Sequence, residues 1–410
     1  MYFPPLLGNE WETLSPDSLN WCENKIEDFY TFLDNKNTKA FILLKDGKIV
    51  LEKYFDGFTQ DSTWYWASAG KSMTAILTGI AQEEGLLDID DPTSDYLGTG
   101  WTSAPADKEA LISIRHQLSM TSGLDDAFSF ACTSPGCLKY KADAGTRWAY
   151  HNGPYTNITK VIEAATGKTY NQYFFNKISL KTGITGLWVQ LGFNEILFSK
   201  ARSMARYGLL IQNNGTWKNT PVLSDAQYFN DMVNPSQNIN KSYGYLWWLN
   251  GGESYMLPRS QTVFPGMISP DAPEDMFAAM GKDAQYLNIA PSKGIVFVRM
   301  GESPDTSLVP ISFNNEIWHH INGLECAPNS TGEKIKNELH IYPNPVGDYL
   351  KIDIPENIGK YSLQVFDVFG KEIFRAENDL EIDVSGFLDG VYFLKLRSGK
   401  REWSNVFIKE

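Results

Sequence analysis

A chain of 410 residues is longer than one ordinary core requires and accommodates a catalytic-sized domain plus a smaller module. Its composition, 42% apolar, 13% aromatic and 21% charged, supplies enough burial to offset ordering entropy, which excludes a disordered chain. Against 49 Asp+Glu there are 36 Lys+Arg, and the net charge of −13 repels phosphate backbones, so no nucleic-acid partner is expected.

Residues 1–5 carry no basic stretch followed by a long apolar run, so no secretory leader is legible there. Residues 39–54 read as strand, tight turn at Lys45-Asp46-Gly47-Lys48, strand. Residues 68–84 place Met73, Ile76, Leu77 and Ile80 at helical spacing and stop at Gly85, predicting a buried helix that opens at Ser68. A turn at 88–92 and a helix at 114–120 come next, then helices at 155–166, 199–213 and 224–233. Strands are expected at 243–249, 276–280, 285–289 and 295–300, and a closing helix at 315–324. A strand pair, a helical middle and late strands predict an α+β fold, an antiparallel sheet flanked by helices. Apolar runs such as 40–44 are too short for a transmembrane segment.

The four cysteines show no metal-ligand spacing, and no metal or cofactor is expected. The Cys132-Thr-Ser-Pro-Gly-Cys137 loop turns back on itself and suits a local disulfide in an oxidising compartment. Cys22 and Cys326, near the two ends of the large domain, either staple its termini or are inert buried thiols.

Ser68-Ala69-Gly70-Lys71 places a hydroxyl and an amine on one helical face, where a desolvated Lys71 can take the Ser68 proton. Tyr150-His151-Asn152 supplies a phenol that, near a lysine, can exist partly as phenolate and relay protons. Its amide, Asn152, can hold the lysine or a substrate carbonyl.

These two boxes, with Ile112-Ser113-Ile114-Arg115-His116-Gln117-Leu118-Ser119-Met120-Thr121-Ser122-Gly123 between them, resemble the serine β-lactamase and penicillin-binding-protein superfamily. Residues 201–210 and 243–248 are similar to its class C-like esterases and 6-aminohexanoate-oligomer hydrolases. The resemblance covers roughly residues 20–325. It implies Ser68 as nucleophile, Lys71 as base, Tyr150 as proton relay and Asn152 as positioning amide.

The family's third box, Lys-Thr-Gly or His-Thr-Gly, has a literal copy at Lys181-Thr182-Gly183, in a loop ending a helix and not expected to function. The better match is Ala279-Met280-Gly281-Lys282-Asp283-Ala284-Gln285, where Gly281 admits close backbone approach and the Lys282 amide completes an oxyanion hole with the Ser68 amide. Gly281 and Gln285 are then candidate substrate contacts. Ala279 stands where antibiotic-binding members carry a cation, which argues against grip on a β-lactam carboxylate. Asp125 and Asp126 either read a substrate amine or amide at the entrance or belong to a solvated loop. Trp247 and Trp248 are core or cleft. His116, His151, His319 and His320 are expected to be structural, and neither Gly-x-Ser-x-Gly nor His-Glu-x-x-His occurs.

Composition divides the chain into a hydrolase domain (1–327), a polar linker (328–339) and a small all-β sandwich (340–410). In the last, Ile341-Tyr342-Pro343-Asn344-Pro345, Val365-Phe366-Asp367-Val368-Phe369-Gly370, Ile382-Asp383-Val384 and Gly390-Val391-Tyr392-Phe393-Leu394-Lys395-Leu396 resemble the C-terminal sorting domain of the type IX (Por) secretion system, a generic adhesion module being the alternative. That resemblance implies recognition by the secretion machinery, a signal peptide on the precursor, and a secreted or cell-surface protein of a Bacteroidota-type bacterium. The combined expectation is a secreted serine hydrolase acting on a small ester or amide, or a short oligomer. The alternatives are a D-amino-acid peptidase or transpeptidase, a weak β-lactamase, or a silent surface-displayed binding protein.

Overall fold

The computed structural model describes residues 1–128, 132–307, 309–326, 339–354, 359–368, 370–399 and 401–410, the last segment without the side chains of 401 and 402. It divides into two compact units, Met1–Cys326 and Ala327–Glu410. The expected linker, 328–339, lies outside the described residues except for Leu339.

In the first unit a six-stranded sheet runs in the order Lys48–Tyr54, Thr38–Lys45, Ile295–Gly301, Gln285–Ala290, Phe277–Gly281 and Trp248–Leu249. Every pairing is antiparallel. The central strands are buried along their whole length and are apolar on both faces except at the buried Gln285, Asn288 and Arg299, so they do not alternate. Helix Ala201–Gln212 lies directly on the sheet, because a Cβ on Gly208 would stand 2.4 Å from Val296 Cγ1. Elsewhere Phe29, on helix Glu23–Asn35, meets Phe41, and Trp318, on helix Ile311–Asn322, meets Phe297, at centroid distances of 5.1 and 5.3 Å. This is the α+β architecture of an antiparallel sheet flanked by helices.

Three local readings are corrected. The helix expected at 68–84 begins at Lys71 and runs to Glu83, and Ser68 sits in the 3-10 turn Ala67–Gly70 before it. The strand expected at 243–249 is confined to Trp248–Leu249, because Leu246 adopts φ 61° and sends its amide to the Leu118 carbonyl. A three-stranded sheet of Thr63–Tyr65, Asn194–Lys200 and Gly186–Leu191 is absent from the sequence expectations. Its hairpin exposes Leu187 and Leu191 while burying Trp188 and Leu197, so the polarity contrast that marks a half-buried strand is missing.

The second unit holds a three-stranded sheet (His340–Tyr342, Tyr349–Asp353, Glu381–Asp383) and a four-stranded one (Glu372–Glu377, Ser362–Phe366, Gly390–Ser398, Arg401–Lys409). Alternating side chains such as Leu350, Ile352, Leu363, Val365, Leu394 and Leu396 form its separate core.

Candidate active site

The turn that carries Ser68 is entered through Ala67 at φ 48°, a left-handed value that costs a residue with a Cβ about 1–3 kcal/mol and that the surroundings must hold. Trp66 anchors the entry. Its amide donates to the Leu197 carbonyl at 2.8 Å, and its indole N–H donates to Ser199 Oγ at 2.7 Å. The turn leads straight into the apolar helix whose first residue is Lys71.

Lys71 Nζ donates to Ser68 Oγ at 2.8 Å. The lysine is only 3% exposed, and burial alone lowers its amine from the ordinary value to about 7. No carboxylate among the described residues holds its proton. Its neighbours are aromatic faces, with Nζ 4.4 Å from the ring centroid of Tyr155 and 5.1 Å from that of Tyr150.

Tyr150 brings the third group in from a distant segment and lines the same cavity as Ser68, near enough for the Ser68 hydroxyl to influence its phenol. Burial pushes the phenol well above its ordinary value, and the Ser68 hydroxyl only partly opposes this. The expectation of a partial phenolate is therefore corrected: in a dry pocket the anion is disfavoured, and Tyr150 remains a proton donor. Trp248 stacks on its ring at 5.7 Å and 16°, and Tyr243 meets it edge-on at 6.2 Å. Asn152 starts helix Asn152–Thr166 and lines the same space, but its buried Oδ1 has no partner among the described residues, so it does not hold Lys71 here.

These side chains share a cleft of about 600 Å³, lined also by Tyr65, Tyr155, Phe193, Glu195, Phe198, Arg259, Lys282 and Asp283 among others. Gly281 explains how the sheet reaches the turn: a Cβ there would stand 2.6 Å from the Trp66 carbonyl and 3.0 Å from the Ala69 amide. Neither the Ser68 nor the Lys282 amide is engaged in a turn, loop or cap hydrogen bond among the described residues. After Lys282 the chain passes through Asp283 and Ala284, both left-handed at φ 59° and 60°. Tyr65 donates to Asp283 Oδ2 at 2.6 Å, and the buried Arg299 donates to the Asp283 and Ala284 carbonyls at 2.7 and 3.2 Å.

Other candidates fall away from the cleft. Gln285 is fully buried and its amide is spent on the Gly301 and Asp283 carbonyls at 2.6 and 3.1 Å, so it contacts no cleft space. Trp247 is fully buried against Tyr207 and Phe277; its neighbour Trp248 is the one that touches the site, through Tyr150. Asp126 is buried and paired with Arg147 at 2.7 Å, in a hollow of about 550 Å³ that shares Arg259 with the cleft. Asp125 is tied to the Ala127 amide and Lys141. His116 completes a capping box with Ser113. Lys181 and Thr182 end a short helix, with Lys181 Nζ on the Pro221 carbonyl.

Disulfides join Cys22 to Cys326 and Cys132 to Cys137. Among the described residues no His, Cys, Asp and Glu cluster is arranged to hold a metal ion, and no helix is long and apolar enough to cross a membrane. Glu195, Phe193, Phe198 and Tyr155 are cleft residues that the sequence reading missed. The first three lie on the unforeseen hairpin, and Tyr155 is one turn along the helix from Asn152, the only signal that could have found it.

The Beta-lactamase family model matches residues 37–307, and the secretion system C-terminal sorting domain model matches 340–410. The teichoic acid D-alanine hydrolase of Staphylococcus aureus is 26% identical over 218 residues, 47% of this chain; the match spans 53% of that protein, about half its length. A solved structure described as a candidate 6-aminohexanoate-dimer hydrolase from Bacillus anthracis superposes with TM-score 0.60 at 18% identity, covering 78% of this chain and 89% of that one. A family VIII carboxylesterase superposes with TM-score 0.54 at 16% identity, covering 72% and 96%.

Proposed function

We propose, for a chain that belongs to the Beta-lactamase family, that it is an exported serine hydrolase cleaving a small ester or amide through an acyl-enzyme on Ser68. The observation that carries this reading is the 2.8 Å contact between Ser68 Oγ and an amine whose burial lowers it to about 7. At neutral pH a large share of Lys71 is uncharged and can accept the Ser68 proton as Oγ attacks the carbonyl carbon. The developing oxyanion is received by the Ser68 and Lys282 amides. Collapse breaks the ester or amide bond; the protonated Tyr150 gives its proton to the leaving oxygen or nitrogen and is reprotonated from the Lys71 ammonium. Water then adds to the acyl-enzyme by the same base, releasing acid and restoring Ser68. Asn152 Oδ1, buried without a partner among the described residues, is placed to accept from a substrate N–H.

Ala279 leaves no cation at the place where antibiotic-binding members hold a carboxylate, which supports ester or amide substrates over β-lactams. The relative named as a teichoic acid D-alanine hydrolase keeps D-alanine-bearing substrates within the class. The sorting domain supports export through a type IX system to the cell surface or medium. The test is intact mass after a fluorophosphonate and after p-nitrophenyl esters. One adduct on the native chain and none on Ser68→Ala, with ester turnover abolished in that variant, is expected. Undiminished turnover in Ser68→Ala would overturn the assignment, and no adduct with any acyl donor would favour a binding protein.

A further inference from the structure

Besides Lys71, the charged side chains lining the cleft are Glu195, Asp283, Arg259 and Lys282, and acyl transfer as proposed gives the Glu195 carboxylate no role. Glu195, on strand Asn194–Lys200, lines the same cavity as Ser68 and Lys71. Among the described residues no ion pair or hydrogen bond engages its carboxylate; the charges it senses are Glu163, which repels it, and Lys160. Both are exposed on helix Asn152–Thr166, and Glu163 is already accepting from the Tyr170 amide at 2.7 Å. Desolvation at the cleft wall pushes the Glu195 carboxyl up, the mark of an anion whose surroundings do not compensate its burial.

Glu195 shares the cavity with Ser68 yet is not the counter-ion of the base. Its charge is felt by the phenol of Tyr155, whose ring lies 4.4 Å from Lys71 Nζ. Lys71 itself is shifted by burial alone, with no carboxylate contributing. The cavity that Glu195 lines is also lined by the rings of Tyr155, Phe193 and Phe198, which offer faces attractive to a cation. An anion without a salt-bridge or hydrogen-bond partner among the described residues, in a cavity lined by aromatic rings, is the chemistry that recognises a positively charged ligand group.

Resting on the acyl-enzyme reading above, we infer that the cleft selects ester or amide substrates bearing an ammonium group, which the Glu195 carboxylate holds beside the Tyr155 and Phe193 rings. The test uses the full chain and two isosteric ester pairs. One places the charge on the acyl half: p-nitrophenyl 6-(trimethylammonio)hexanoate against p-nitrophenyl 7,7-dimethyloctanoate. The other places it on the alcohol half: choline hexanoate against 3,3-dimethylbutyl hexanoate. In at least one pair kcat/KM for the cationic ester exceeds that of its neutral isostere by about 5- to 30-fold, and the ratio shrinks at high salt. In Glu195→Gln the ratio falls to about one, in Glu195→Lys it inverts, and in Glu195→Asp it keeps its direction; because each ratio is internal to one variant, lost folding does not mimic the effect. A ratio of one in the native chain for both pairs, or a preference that survives Glu195→Gln, overturns the inference while leaving the acyl-enzyme reading standing. Absence of turnover and of Ser68 acylation with all four esters overturns both.

Discussion

The base role proposed for Lys71 rests on its being dry, with no anion beside it. An amine at its ordinary value would be unprotonated in fewer than about one molecule in a thousand at pH 7; lowered to about 7, it is unprotonated in roughly half. The reactive form is the deprotonated one, so kcat/KM for an uncharged ester falls about tenfold per pH unit below about 7 and levels off above it. A pH–rate profile on p-nitrophenyl butyrate checks this, and a flat profile between pH 5 and 9 contradicts the assignment of the base. Lys71→Ala and Tyr150→Phe each lower kcat/KM by about two to four decades, the range of a positioned acid or base. Ser68 and Lys71 were legible in the sequence because three residues of local spacing set their separation. The protonation state of Tyr150 was not, since it depends on Trp248 and Tyr243 closing over the ring from nearly a hundred residues away.

At the scale of elements, the site is the meeting of a turn and a strand end. The Gly-Lys-Asp-Ala-Gln stretch located the strand in the sequence, but which of its side chains turn inward depends on cross-strand partners. Gln285 spends its amide on Gly301, and Arg299 binds the carbonyls of the left-handed Asp283–Ala284 turn. The hairpin Gly186–Leu191 and Asn194–Lys200, which walls the cleft, escaped notice because apolar residues occupy both of its faces. The close approach of Gly281 to the Ser68 turn carries a prediction. A methyl group there must displace backbone, since its nearest neighbours are the Trp66 carbonyl at 2.6 Å and the Ala69 amide at 3.0 Å, neither the end of a flexible side chain. Gly281→Ala therefore lowers kcat by about 10²- to 10³-fold, the cost of one misplaced oxyanion donor, while far-UV circular dichroism stays native. An unchanged kcat removes this strand from the oxyanion hole.

At the scale of the molecule, the two ends of the first unit are bound to each other. The Cys22 amide donates to the Leu324 carbonyl, the Cys326 amide to Asn20, and Trp21 bridges Glu325, with the Cys22–Cys326 disulfide closing a span of 304 residues. Cross-linking so long a loop limits the unfolded chain, so Cys22→Ser with Cys326→Ser costs about 2–5 kcal/mol, read as a lower urea midpoint with activity intact at low denaturant. The compositional break near 327 was legible because a polar, turn-rich stretch interrupts two different apolar periodicities. Beyond it, a core of Leu350, Leu363, Val365 and Leu394 shares no residue with the first. Every described residue lining the candidate cleft, and both disulfides, lie within Met1–Cys326. A chain ending at Cys326 consequently keeps kcat/KM for p-nitrophenyl butyrate within about twofold of the full chain and keeps its urea midpoint, because no lining residue of the cleft and no disulfide is removed. It loses export through a type IX system, read as retention in the periplasm on fractionation. A shortened chain that is still exported would show that the sorting information lies in the hydrolase unit, and one that is folded but inactive would show that catalysis needs the second unit.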